Sequence, residues 1–76
     1  MDMDEVNDVS QIPRPLKGFY EFTGGAIALC EHQGMWYTFW IKQDGGIRMW
    51  DERATKKAGW KQFTNEVRAA IARGDL

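Results

Sequence analysis

The eight residues from Met35 to Lys42, MWYTFWIK, carry a bulky side chain at nearly every position, and this constrains the fold of so short a chain more than any other feature. A β-strand points successive side chains to opposite faces, so a strand with one buried and one wet face alternates apolar with polar. Here five of the eight residues are aromatic or Ile, and only Thr38 and Lys42 are plainly polar. Both faces of this strand therefore call for cover.

Three turn signals, Gly24-Gly25, Gln33-Gly34 and Asp44-Gly45, each lie between runs of strand-forming residues. They predict a four-stranded antiparallel meander over roughly residues 17–23, 26–32, 35–42 and 47–51. Minimal loops pair Thr23 with Ala26, His32 with Met35 and, across residues 43–46, Lys42 with Ile47. Register then assigns faces. Tyr20, Phe22, Ile27, Leu29, Trp36, Thr38, Trp40, Ile47 and Met49 fall on one side, an apolar set suited to a core. Lys17, Phe19, Glu21, Thr23, Ala26, Ala28, Cys30, His32, Tyr37, Phe39, Ile41, Arg48 and Trp50 fall on the other.

The chain closes with FTNEVRAAIARGDL. Thr64 suits a helix N-cap, Glu66 the first turn and Gly74 the left-handed position after the end. Val67, Ala70 and Ile71 recur on one helical face, which predicts packing on the core side of the sheet. Trp60 and Phe63 precede this helix, either as a backward extension from Gly59 or as a short strand. The fold class is thus α+β, a β-β-β-β-α domain over residues 12–76 with its helix on one face. One helix roofs one face only, leaving Tyr37, Phe39 and Ile41 in need of another cover: a second copy, a partner protein or stacked bases.

Residues 1–11 hold Asp2, Asp4, Glu5 and Asp8 and no base, whereas residues 12–76 hold ten Lys and Arg against seven acids, so a domain of about +3 sits within a chain of −1. Ile12-Pro13-Arg14-Pro15 marks the entry to the fold, because proline biases itself and its predecessor towards extended backbone. The segment before it reads as a disordered, solubilising acidic tail or, alternatively, as a nucleic-acid mimic that competes for the basic residues. It has neither the basic start nor the apolar stretch of a secretion signal. The longest apolar run, Ala26 to Cys30, is too short to span a bilayer. A lone cysteine makes no internal disulfide, and the expectation is a reducing, cytoplasmic setting without membrane contact.

The residues argue against enzymatic chemistry. One His and one Cys do not furnish a metal site. Cys30 and His32 share a strand face and could pair as thiolate and imidazole, but no third group is evident to orient them. The Gly pairs lead into strands and lack the trailing Lys-Ser/Thr of a phosphate loop. Glu21 and Glu31 fall on opposite faces. No cofactor is expected.

What remains is an aromatic and basic surface. Planar rings on an exposed sheet stack bases at about 1–3 kcal/mol per base, and Lys and Arg neutralise phosphates. Phe19, Tyr37, Phe39 and Trp50 offer rings; Lys17 and Arg48 add charge on the same face; Arg53, Lys56, Lys57 and Lys61 follow in a loop beside the fourth strand.

The stretch IRMWDERATKKAGWKQFTNEVRAAI, residues 47–71, resembles the C-terminal part of the positive-cofactor-four family of transcriptional coactivators and their bacterial and phage relatives. In that resemblance Lys56, Lys57 and Gly59 form a loop, a short apolar strand follows, Phe63-Thr64 stands for the family's Leu-Thr, and Glu66 is the acid of the first helical turn. The resemblance implies four antiparallel strands, a C-terminal helix, dimerisation through it, and sequence-tolerant binding of single-stranded DNA on the curved sheet.

Two functional expectations follow. The first is a non-enzymatic, dimeric binder of single-stranded nucleic acid, whose binding is lost in Arg48→Ala or Phe39→Ala without loss of fold. The second is a protein-binding module, such as a small phage or mobile-element protein that blocks a host complex or defence system. It rests on small size, absent catalytic groups, an acidic tail and an uncovered aromatic face, since Trp, Tyr and Arg dominate protein interfaces.

Overall fold

Strand β1 (Gly18–Phe22), β2 (Gly25–His32), β3 (Met35–Lys42) and β4 (Ile47–Arg53) form one antiparallel sheet in the order β1-β2-β3-β4, followed by helix α1 (Lys56–Ala72). A computed structural model of the chain describes residues 3–74. The expected meander and its C-terminal helix are both present.

The β2–β3 register has His32 opposite Met35, as the Gln33-Gly34 turn predicts, with both turn residues at positive φ. The first hairpin differs from expectation. Its loop is Thr23-Gly24, and Gly25 joins β2, so Phe22 faces Gly25 and Tyr20 faces Ile27. Partners move by two residues, an even step that leaves every side chain on its assigned face. Gly25 is fixed there by its backbone, at φ +152°, and by crowding, because a Cβ would overlap the Ile41 carbonyl oxygen.

The last hairpin contains a bulge. Trp40 faces Met49 while Ile41 faces Ile47, which leaves Arg48 as the extra residue of β4. Ile47, expected among the helix-side residues, is thereby turned to the other face, where it lies opposite Ile41 and packs against the core layer of that face.

Helix α1 starts nine residues before the expected cap: the Thr55 side chain accepts the Ala58 N–H at 3.1 Å in an extended N-cap conformation. Lys56 and Lys57 oppose the macrodipole, Gly59 costs helix propensity and Trp60 favours strands, which is why this stretch reads as loop or strand. Packing overrides them. Gly59 lies against Trp36, Phe63 covers Gly18, and Val67 and Ala70 continue the stripe onto Ile27 and Leu29. Thr64 and Glu66 are therefore mid-helix residues, and the loop and short strand implied by the family resemblance are replaced by continuous helix. Gly74 takes the left-handed position at φ +79°.

The second face is roofed by the chain's own N-terminus. Two short 3-10 turns, Met3–Glu5 and Val9–Gln11, cross the sheet as a strap that buries Met3, Val6 and Ile12 against Ala26, Ala28, Cys30, Tyr37, Phe39 and Ile41. The strap is tied down at the β3–β4 loop, where the Val9 N–H donates to Gly45 O at 2.8 Å and the Ile47 N–H donates to Asn7 O at 3.1 Å. Asp8 caps its second turn by accepting from the Ser10 N–H and O–H, and these bonds hold the Asp8 carboxyl below its ordinary pKa. The disordered tail expected over residues 1–11 is thus corrected from Met3 onward. The acids misled because they alternate with the apolar anchors: Asp4 and Glu5 face outward while Met3 and Val6 face in. Residues 1 and 2 lie outside the described residues.

Candidate interaction surface

The strap decides the fate of the expected ring platform. Phe39 is wholly buried and Tyr37 is 6% exposed, with the Tyr37 hydroxyl donating to Glu52 Oε2 at 3.0 Å. Tyr37 lies 6.3 Å from Phe39 and 5.8 Å from Trp50, ring centre to ring centre, and Trp50 is half-buried at the margin of this cluster. These three rings pack into one another and into Met3, Val6 and Ile12. They form a core layer, and of the four expected rings only Phe19, at 51%, stands open.

The basic residues do not converge either. Lys17 is exposed at the start of β1, on the far edge of the sheet from Arg48. Arg48 and Arg53 sit near opposite ends of β4, roughly 17 Å apart at about 3.3 Å per residue. Arg53 is engaged by the Asp51 carboxylate at 2.7 Å, which raises its pKa further, and Lys56 and Lys57 are exposed in the first turn of α1.

Nor do Cys30 and His32 make a reactive pair. Cys30 is buried beneath the strap, and burial pushes its thiol up to about 11, the reverse of an activated nucleophile. Among the described residues no three His, Cys, Asp or Glu side chains group as metal ligands, and no helix is long and apolar enough to cross a membrane.

The open apolar surface lies instead on the helix side, in residues the sequence assigns to the core. Phe63 and Ala70 define the buried line of α1, and at 100° per residue Gln62, Glu66 and Arg73 occupy the flank towards β4. Between this flank and the sheet runs a groove of about 710 Å³. Its floor is Trp40 and Met49 with Phe22 at one end; Met49 is 53% exposed, and the aromatic pair is half-buried. One wall is Asp51, Gln62 and Glu66, linked in a hydrogen-bonded chain through Arg53 behind it: Asp51 accepts from Arg53, Arg53 Nη2 donates to Gln62 Oε1 at 3.2 Å, and Gln62 Nε2 donates to Glu66 Oε1 at 3.3 Å. Arg48, displaced by the bulge, and Arg73 stand along its rim.

A fixed polar wall beside an apolar floor suits a peptide segment, which brings both apolar side chains and backbone polar groups. The sequence held one clue to it: Met49 pairs across from Trp40 on the side where the expected helix is too narrow to reach the last strand. Comparison with protein-family models, curated proteins and solved structures finds no match for this chain.

Proposed function

We propose that the protein is a non-enzymatic protein-binding module that takes a segment of a partner protein into the groove between α1 and β3–β4. The observation that carries this reading is the exposure of Met49 beside Trp40, flanked by the Asp51–Arg53–Gln62–Glu66 chain. An apolar side chain of the partner lies on Trp40 and Met49, and its polar flanks meet a wall whose groups are already held in place, which limits the ordering cost of binding. Such a module acts by occupation, blocking or bridging an assembly, in keeping with the small host-directed inhibitor expected from the residues. Single-stranded nucleic acid is the weaker reading, because Tyr37 and Phe39 are withdrawn from solvent and the cations are dispersed.

The test is a photo-crosslinking amino acid at position 49, with a control at exposed Arg14, in nuclease-treated host lysate. The expected result is a discrete protein adduct from position 49 alone, competed by excess wild-type chain and not by the Met49→Asp chain. Adducts that disappear with nuclease, or equal competition by both chains, would overturn the reading. Fluorescence anisotropy with labelled oligonucleotides at low salt is expected to stay flat.

A further inference from the structure

The charges along the groove are unevenly matched. Lys42, Arg48 and Arg73 line it against two acids, Asp51 and Glu66, and Asp51 is already engaged by Arg53 from behind the wall at 2.7 Å. Glu66 accepts from Gln62. Positive charge is therefore in excess. Arg48 and Lys42 are both exposed, and neither side chain has a hydrogen-bond or ion-pair partner among the described residues. They stand at one end of the apolar floor. Lys42 follows Trp40 on the same face of β3, and Arg48 adjoins Met49, which pairs across from Trp40. In a regular strand Arg48 would alternate away from Met49 to the strap side. As the extra residue of the bulge it lines the groove instead, and bulges commonly re-aim a side chain in this way.

Resting on the reading of this groove as a peptide site, we propose that the segment it takes is acidic: an apolar side chain lies on Trp40 and Met49, and an Asp or Glu carboxylate beside it meets Arg48 and Lys42. The guanidinium of Arg48 suits a planar carboxylate, which it receives with two parallel N–H donors. The apolar contact supplies affinity, while charge sets the direction of the segment and the choice among segments. A basic segment is disfavoured at the same place by like charge, which is the other half of specificity. Two cations beside one apolar step fit a short acidic and apolar segment. A nucleic-acid backbone, charged at every step, calls for a longer line of cations than this groove holds.

Selection from a random-peptide phage library on the immobilised full chain tests the proposal. Peptides retained by the wild type and lost on Met49→Asp are the groove binders. Among them, Asp or Glu close in sequence to an apolar residue is expected to be enriched about threefold over the library, and Lys or Arg to be depleted. Arg48→Glu is an exposed change whose fold far-UV circular dichroism checks. It is expected to abolish the acidic enrichment and to raise the dissociation constant of a synthetic groove binder about tenfold, a difference that shrinks in high salt. The absence of any Met49-dependent peptide would overturn the groove reading and this proposal with it. Met49-dependent peptides without acidic bias, or binding unmoved by Arg48→Glu, would overturn the acidic partner and leave the groove reading standing. Displacement of the peptide by a single-stranded oligonucleotide at similar concentration would assign the two cations to phosphate and equally overturn it.

Discussion

Gly59 sits so close to Trp36 that a Cβ built on it would lie 2.5 Å from Trp36 Cβ. The atom it meets is attached directly to the β3 backbone, so the neighbour cannot swing away. On an exposed helix Gly→Ala is a gain of roughly 0.5–1 kcal/mol. Here α1 must lift from the sheet, and Gly59→Ala is expected to destabilise by about 1–3 kcal/mol, the usual range for overpacking. Urea denaturation followed by tryptophan fluorescence measures it, and an increase in stability would show that the helix does not pack at this distance.

Phe39→Ala separates a core ring from a stacking ring. A wholly buried Phe replaced by Ala costs about 3–5 kcal/mol through lost burial and the cavity left behind. The variant is therefore expected to be severely destabilised or unfolded in the same urea titration. An exposed platform residue would give a fully stable variant.

That contrast marks how far the sequence could be read. Alternation and turn residues gave the strands, their faces and the helix-side core, and even the two-residue slip at Thr23-Gly24 spared the faces because side chains repeat every two residues. The start of α1 was hidden because Lys56, Lys57, Gly59 and Trp60 each speak against helix locally, and only the close fit of Gly59 on Trp36 reverses them. The strap was hidden because Met3, Val6 and Ile12 are spaced without period among acids, and their value lies in contacts with strands more than ten residues away in the chain. The bulge at Arg48, which moves Ile47 to the other face, leaves no local signature in a loop that already contains two glycines. The open surface differs accordingly: the strap closes the aromatic face at Tyr37 and Phe39, and Met49, expected in the helix-side core, lies 53% exposed at its margin.

Cys30 gives the second face a pH signature. Its folded-state pKa is raised from 9.0 to about 11, so the thiolate forms more readily in the unfolded chain. The stability it confers is complete below about pH 9 and is lost as pH rises towards 11, by at most about 3 kcal/mol at roughly 1.4 kcal/mol per pKa unit. Lysines and tyrosines titrate in the same window, so the informative quantity is the difference between wild type and Cys30→Ser. Urea midpoints from pH 8 to 11 are expected to fall more steeply for the wild type. Parallel profiles would mean that the thiol is solvated in the folded chain.

The most direct test of the strap, on which the choice of surface depends, is the rate at which native Cys30 reacts with a thiol reagent such as dithionitrobenzoate at neutral pH. Cys30 lies in the layer sealed by Met3, Val6 and Ile12. Reaction in native buffer is expected to be orders of magnitude slower than in guanidinium, and Val6→Asp, which cannot keep its side chain in that layer, is expected to speed it strongly while helix content by circular dichroism is retained. A thiol that reacts in the native wild type as fast as in the unfolded chain, or a rate unmoved by Val6→Asp, would mean that the N-terminus does not close this face.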